Sequence, residues 1–147
     1  MERLTRRASR LIVLDSQRRV LLFRHAGTDK PFWAPPGGGL LEGETYEQAA
    51  QREASEELGS VNVKLGSGWD SIAEFELAGV PVRQNEKYFV MQCKVDLTCD
   101  AVRAIHNREG ILEHRWWSLP QLESHAETIF PEDLAIRIAT LLRQRAS

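Results

Sequence analysis

A chain of 147 residues with 42% hydrophobic and 27% charged residues matches ordinary globular usage and can bury about 70% of its unfolded surface, so residues 1–147 are expected to form a single domain. A formal net charge of −2 supplies no bulk positive field to hold a polyanion, which argues against nucleic acid as the main partner, DNA included. The basic start lacks the apolar core of a signal peptide, no eighteen apolar residues run together, and Cys93 and Cys99 make no CxxC pair; a cytoplasmic protein with no membrane span and inert, reduced thiols is expected.

Along the chain, apolar residues 11–14 and 20–23 flank Asp15-Ser16-Gln17, which predicts two strands joined as a hairpin. Residues 27–43 hold Pro31, Pro35, Pro36 and the run Gly37-Gly38-Gly39, too many breakers for a regular element, so they are expected to form a loop. Thr45 with Gln48 makes a capping box, the alanine-rich stretch to Leu58 favours helix, and Gly59 is placed to end it. Alternation or β-branched and aromatic residues predict strands at 61–65, 71–77, 88–95 and 111–117. Pro131-Glu132-Asp133 then precedes Leu134, Ile138, Leu141 and Leu142 at helical spacing, a closing amphipathic helix.

The helix over 45–58 carries a conflict. At ~100° per residue, Tyr46, Ala49, Ala50, Ala54 and Leu58 form one apolar arc, and Glu53 and Glu57 fall roughly 20° either side of Tyr46, inside that arc, with Glu56 at its border. Runs such as Glu-Ala-Ser-Glu-Glu are usually solvated faces. Here the position opposes that reading, because inward carboxylates must acquire a cation, a partner or a raised pKa, and Arg52 is one charge against three. Clustered hard oxygens suit Mg²⁺ or Mn²⁺.

The spacing Gly38, five residues, Glu44, seven residues, Arg52-Glu53-Ala54-Ser55-Glu56-Glu57-Leu58-Gly59 resembles the signature box of the Nudix hydrolase family. Seven fixed positions at ~7% each match by chance with probability on the order of 10⁻⁸ per starting point. Trp33-Ala34-Pro35-Pro36-Gly37-Gly38-Gly39 is similar to the family's loop entering the box, and the resemblance covers roughly residues 10–122. It departs at Ser60, where the family has an aliphatic residue; Val61 is expected to take the nearby pocket.

The resemblance implies an α/β (α+β) fold of Nudix type, an α/β/α sandwich with a mixed central sheet and a catalytic loop–helix–loop. It implies hydrolysis of a phosphoric anhydride, a nucleoside diphosphate linked to X, with Mg²⁺ (Mn²⁺ as an alternative) held by Glu53, Glu56 and Glu57 together with a loop glycine such as Gly38. Arg52 would orient a carboxylate and Glu44 would pair with Arg52. Glu53 is the first choice of base, with Glu109 and Glu113 as further candidates for a ligand or base. Arg24, Trp33, Glu113 and Trp116 are candidate substrate contacts, core packing being the favoured reading for both tryptophans. The four histidines show no metal-ligand spacing and read as ordinary side chains. The partner expected is a small nucleotide or another diphosphate, acted on by a monomer or homodimer. A nucleotide sensor without turnover and an isomerase on the same scaffold are the alternatives.

Overall fold

The uninterrupted apolar runs near the start become strands covered on both faces. In the computed structural model, which describes residues 3–92 and 95–145, they lie in β1 (Leu4–Val13) and β2 (Val20–His25). Leu11 and Val13 join Leu21 and Phe23 on one side, whereas Ile12 joins Val20 and Leu22 on the other, as an alternation of period two requires. The chain continues through β3 (Phe32–Ala34), β4 (Gly37–Gly39), α1 (Tyr46–Leu58), β5 (Gly66–Leu77), β6 (Val80–Met91), α2 (Asp100–Arg108), β7 (Ile111–Trp117), α3 (Leu119–Glu123) and α4 (Leu134–Arg145).

The expected mixed sheet is four-stranded, in the order β4-β1-β6-β5, with β1 and β6 parallel; a second, antiparallel sheet has the order β3-β2-β7. Ala50, Ala54 and Leu58 of α1 cover one side of these strands, and Leu134, Ile138, Leu141 and Leu142 of α4 cover the other. The helix–sheet–helix layering is as expected. Among the described residues, no helix is long and apolar enough to cross a membrane.

Four local expectations fail, each for a physical reason. The turn after β1 forms, with the Asp15 carboxylate accepting from the N–H groups of Gln17 and Arg19, but β1 and β2 meet only at Leu14–Val20 and then enter different sheets instead of forming a hairpin. Residues 27–43 are not all loop: β3 completes β2 and β4 completes β1, so Pro35-Pro36 marks the passage from one sheet to the other. Residues 61–65 are not a strand, because the Gln51 side chain takes both backbone groups of Val63, at 2.6 and 3.1 Å, in place of a neighbouring strand. Val61 is 70% exposed; Ser60 is buried, its N–H turned back to the Ala54 carbonyl, and Val63 fills the core instead.

β5 and β6 start ahead of the predicted 71–77 and 88–95, joined by a tight turn with positive φ at Ala78 and Gly79. β6 ends at Met91, short of the predicted 95; residues 93–94, and with them the thiol assignment for Cys93, fall outside the described residues, while Cys99 carries a free thiol at the N-cap of α2. α2 gave no apolar stripe to read, since Val102 is its one buried residue.

Candidate active site

The acidic helix is locked at both ends and along one edge. Thr45 and Gln48 form the reciprocal cap at its start, Gly59 ends it with φ 67°, and the Ser9 hydroxyl of β1 donates to the Tyr46 carbonyl at 2.7 Å. β4 lies alongside. Gly37 has φ 139°, and a Cβ there would stand 2.1 Å from the Ser9 carbonyl oxygen; a Cβ at Gly38 would stand 2.8 Å from Glu53 Oε1. Glycine is required at 37 by its positive φ and by the β1 backbone, and at 38 a side chain would displace the Glu53 carboxylate.

Within this contact Glu57 is 1% and Glu53 5% exposed. The Gly37 N–H donates to Glu57 Oε1 at 2.9 Å. Arg52 is the hub: Nε and Nη2 donate to the two Glu44 oxygens at 2.8 and 2.9 Å, Nη1 to Glu53 Oε1 at 2.9 Å and Glu56 Oε2 at 3.4 Å, and Nη2 also to the Gly39 carbonyl at 3.0 Å. A bidentate pair of this kind fixes orientation as well as charge. Glu109, at the C-cap of α2, reaches the same place and shares a hydrogen bond with the Glu57 carboxyl.

The electrostatics follow from this crowding. The Arg52 guanidinium holds Glu44 below the usual carboxylate range, and Glu44 raises Arg52 in turn. Burial raises Glu53 against the pull of Arg52. Glu57 is raised well above the ordinary value by burial, then by the Glu109 hydrogen bond and the Glu53 charge, opposed by the Gly37 N–H. Glu53 Oε2 is buried with no hydrogen-bond partner.

As the side chains stand, no three His, Cys, Asp or Glu among the described residues gather closely enough to hold a metal ion; Glu53 and Glu56 each lend an oxygen to Arg52. The donor chemistry nevertheless fits a divalent cation. The donors are hard oxygens, one is buried without a partner, and burial beside Glu109 and Glu53 disfavours the ionised form of Glu57 unless a positive charge is supplied.

Beside β4 opens a cleft of ≈ 500 Å³. Its walls include Arg6 and Arg10 of β1, the stacked pair His25 and Phe32, with ring centroids 5.1 Å apart, and Phe130, which meets Phe32 edge-on at 5.5 Å. Deeper in the cleft, the buried Glu86 carboxylate accepts from Gln84 Nε2 at 2.7 Å and the Tyr88 hydroxyl at 3.2 Å, with Arg10 Nε at 3.5 Å. The His25 imidazole is lowered by burial and by the Arg10 charge.

The structure thus brings together Glu44, Arg52, Glu53, Glu56, Glu57 and Gly38, and adds Glu109. It leaves the four proposed substrate contacts elsewhere. Trp33 is 0% exposed, its Nε1–H donating to Glu127 at 2.7 Å and Arg115 lying 4.8 Å above its ring. Arg24 pairs with Glu127 at 3.6 Å and with Glu113 at 4.0 Å, and Trp116 packs half-buried against the α1-side core. Arg24 and Trp33 face each other across β2 and β3, one residue from the cleft-lining pair His25 and Phe32. A strand turns its side chains over at every step, so an error of one residue selects the wrong face. The positions that reasoning from sequence missed, Arg6, Arg10, Phe32, Glu86 and Phe130, come from four separate segments and carry no local motif.

A family model described as NUDIX domain matches residues 4–137. The chain is 32% identical over 91 residues to an RNA pyrophosphohydrolase of Pelagibacter ubique, covering 56% of this chain and 58% of that protein. It is 40% identical over 82 residues to an RNA pyrophosphohydrolase of Gluconobacter oxydans, covering 48% of each. The matches therefore span about half the length of these curated relatives. Among solved structures, a MutT protein from Methanosarcina mazei Go1 superposes with a TM-score of 0.67 at 18% identity, covering 100% of this chain and 99% of that one. An E. coli dihydroneopterin triphosphate pyrophosphohydrolase does so with a TM-score of 0.65 at 22% identity, covering 94% and 95%. At such identities the likeness establishes the fold.

Proposed function

Because the chain belongs to the Nudix family, we propose that it is a single-domain pyrophosphohydrolase that cleaves a phosphoric anhydride in a nucleoside 5′-polyphosphate, working in the cytoplasm. The observation that carries this reading is the burial of Glu53 and Glu57 beneath the glycine strand, with Arg52 paired to Glu53 and only the Gly37 N–H and Glu109 at Glu57 among the described residues. A divalent cation, Mg²⁺ or Mn²⁺, held by Glu53, Glu56 and Glu57 beside Gly38, supplies positive charge to the phosphate oxygens and lowers the pKa of a bound water.

The chain's own groups do the rest. Arg52, fixed by Glu44, orients Glu53 and Glu56, and the Gly37 N–H orients Glu57. Glu109, exposed to solvent and hydrogen-bonded to Glu57, is the proton acceptor for the attacking water; Glu53, the choice from sequence, is buried with one oxygen tied to Arg52. Arg6 and Arg10 meet the phosphate chain at the mouth of the cleft, and His25, Phe32 and Phe130 receive the nucleoside. The two relatives named RNA pyrophosphohydrolase add a 5′-triphosphorylated RNA end to the substrates to be tried.

The test is a panel with Mg²⁺ or Mn²⁺: a nucleoside triphosphate, a dinucleoside polyphosphate, a sugar nucleotide and a 5′-triphosphorylated oligoribonucleotide. Metal-dependent cleavage by the wild type, lost in Glu57→Gln, is the expected result. Nucleotide binding without cleavage of any member would make the chain a sensor.

A further inference from the structure

The last turn of α1 leaves carbonyl groups that need partners from outside the helix. Gly59 and Ser60 donate their N–H groups to Ser55 and Ala54, and the Asp96 N–H meets the Leu58 carbonyl at 2.8 Å. The Glu57 carbonyl is taken by a side chain, His106 of α2, whose Nε2 lies 2.8 Å away. A carbonyl can only accept, so His106 Nε2 carries the proton. The imidazole is held in that orientation by Phe23, which is fully buried and meets it edge-on with centroids 4.8 Å apart.

Three residues further on, the same helix ends at Glu109, which is bonded to the Glu57 carboxyl. One end of α2 therefore grips Glu57 twice, by its backbone and by its side chain. The ends of α2 are also anchored, by Val102 against Gly59 and by the Gly110 carbonyl accepting from the Ala26 N–H at 3.0 Å, but neither contact reaches Glu57. The Nε2–H donor is the contact that ties the turn before Glu109 directly to the backbone of Glu57.

We infer that His106 is a positioning residue, whose hydrogen bond to the Glu57 carbonyl sets the placement of Glu109 against the Glu57 side chain. The inference rests on the reading of Glu57 and Glu109 as members of a hydrolytic, cation-binding site.

Two variants separate positioning from packing. His106→Gln carries an amide N–H at the reach of Nε2, whereas His106→Phe keeps a ring against Phe23 and has no donor. The measurements are kcat and KM at saturating Mg²⁺, Mn²⁺ affinity followed by electron paramagnetic resonance, and melting temperature. The Phe variant should lose about 10–100-fold in kcat, with KM within about 3-fold, and bind Mn²⁺ about 10-fold more weakly, while the Gln variant stays within about 3-fold of wild type in each. If the Phe variant does not fold, His106→Asn, whose amide is one methylene short, replaces it and should show the same losses.

Wild-type kcat and Mn²⁺ affinity in the donor-less variant would overturn the inference, as would a Gln variant that loses as much as Phe. If the wild type cleaves nothing, the hydrolase reading fails, and the Mn²⁺ affinities of the three proteins still decide the role of His106.

Discussion

Two clusters of charge in this chain differ in their balance. At α1, Glu44, Glu53 and Glu56 share one guanidinium, that of Arg52, while Glu57 and Glu109 meet each other beside them. On the opposite face of the three-stranded sheet, Arg24 and Arg115 stand against Glu113 and Glu127, with Arg115 lying over Trp33 and Trp117. The second cluster sets two cations against two anions, so its charges balance even though Arg24 Nε and Trp117 Nε1 are buried without a hydrogen-bond partner. The first keeps two carboxyls protonated beyond their ordinary range and one buried oxygen without a partner. A scaffold closes its charges, whereas a site built for a cation leaves them open.

The sharpest way to break this contrast is to neutralise one acid of the open cluster. Glu53→Gln should lower kcat/KM with Mg²⁺ by about 10²–10³-fold. Its metal-free melting temperature should hold or rise, because a buried amide is less costly than a buried carboxylate. Lost stability with activity intact would make the cluster scaffold. Arg52→Lys comes next: the charge stays, but the fork that joins Glu44, Glu53 and the Gly39 carbonyl is gone. Here kcat/KM should fall about 10–100-fold and urea unfolding should show a loss of about 2 kcal/mol, both functions failing together because this residue holds the carboxylates apart.

The difference between the clusters also explains what could be read in advance. The open cluster lies on one helix with its glycine strand nearby, so spacing alone turned Glu53 and Glu57 inward, and the structure buries both. The cap at Thr45 and the stop at Gly59 are equally local. The cleft is assembled from β1, β2, β3, β6 and the segment around Phe130, and its register comes from pairings far apart in sequence, such as Arg10 with Tyr88. Phe32 and His25, which line its wall, are one residue from Trp33 and Arg24, and Trp33 is core, the reading favoured for it from sequence. The partition of seven strands into two sheets was hidden for the same reason, since β1 pairs with β6 across more than seventy residues.

A pH titration separates the clusters without mutation. Glu53 and Glu57 have raised values in the folded chain, so above about pH 4.3, the ordinary glutamate value, the folded state holds protons that the unfolded state has lost. Their contribution to stability is complete below that pH and is lost as pH rises through the raised values. Without divalent metal, urea unfolding should therefore show stability falling as pH rises above about 6.5, the ordinary histidine value, up to which the lowered His25 and His114 act in the opposite sense. Mg²⁺ should stabilise more at pH 8 than at pH 5, because it binds the ionised forms. A metal-free stability that rises with pH above about 6.5 would mean that both acids are already ionised and paired.

The smallest effect belongs to the balanced cluster, and it tests whether that cluster is scaffold alone. Glu127 accepts from Trp33 Nε1–H at 2.7 Å and lies 3.6 Å from Arg24 Nε, an atom otherwise buried without a hydrogen-bond partner. Glu127→Leu removes both interactions and leaves a buried indole N–H unsatisfied, at a cost of about 1 kcal/mol after allowance for the exposed half of the carboxylate. Because Trp33 and Arg24 face away from the cleft, kcat and KM should stay within about 2-fold of wild type. A change in KM alone, with the melting temperature unmoved, would place Arg24 or Glu113 at the substrate after all and erase the distinction between the two faces of the sheet.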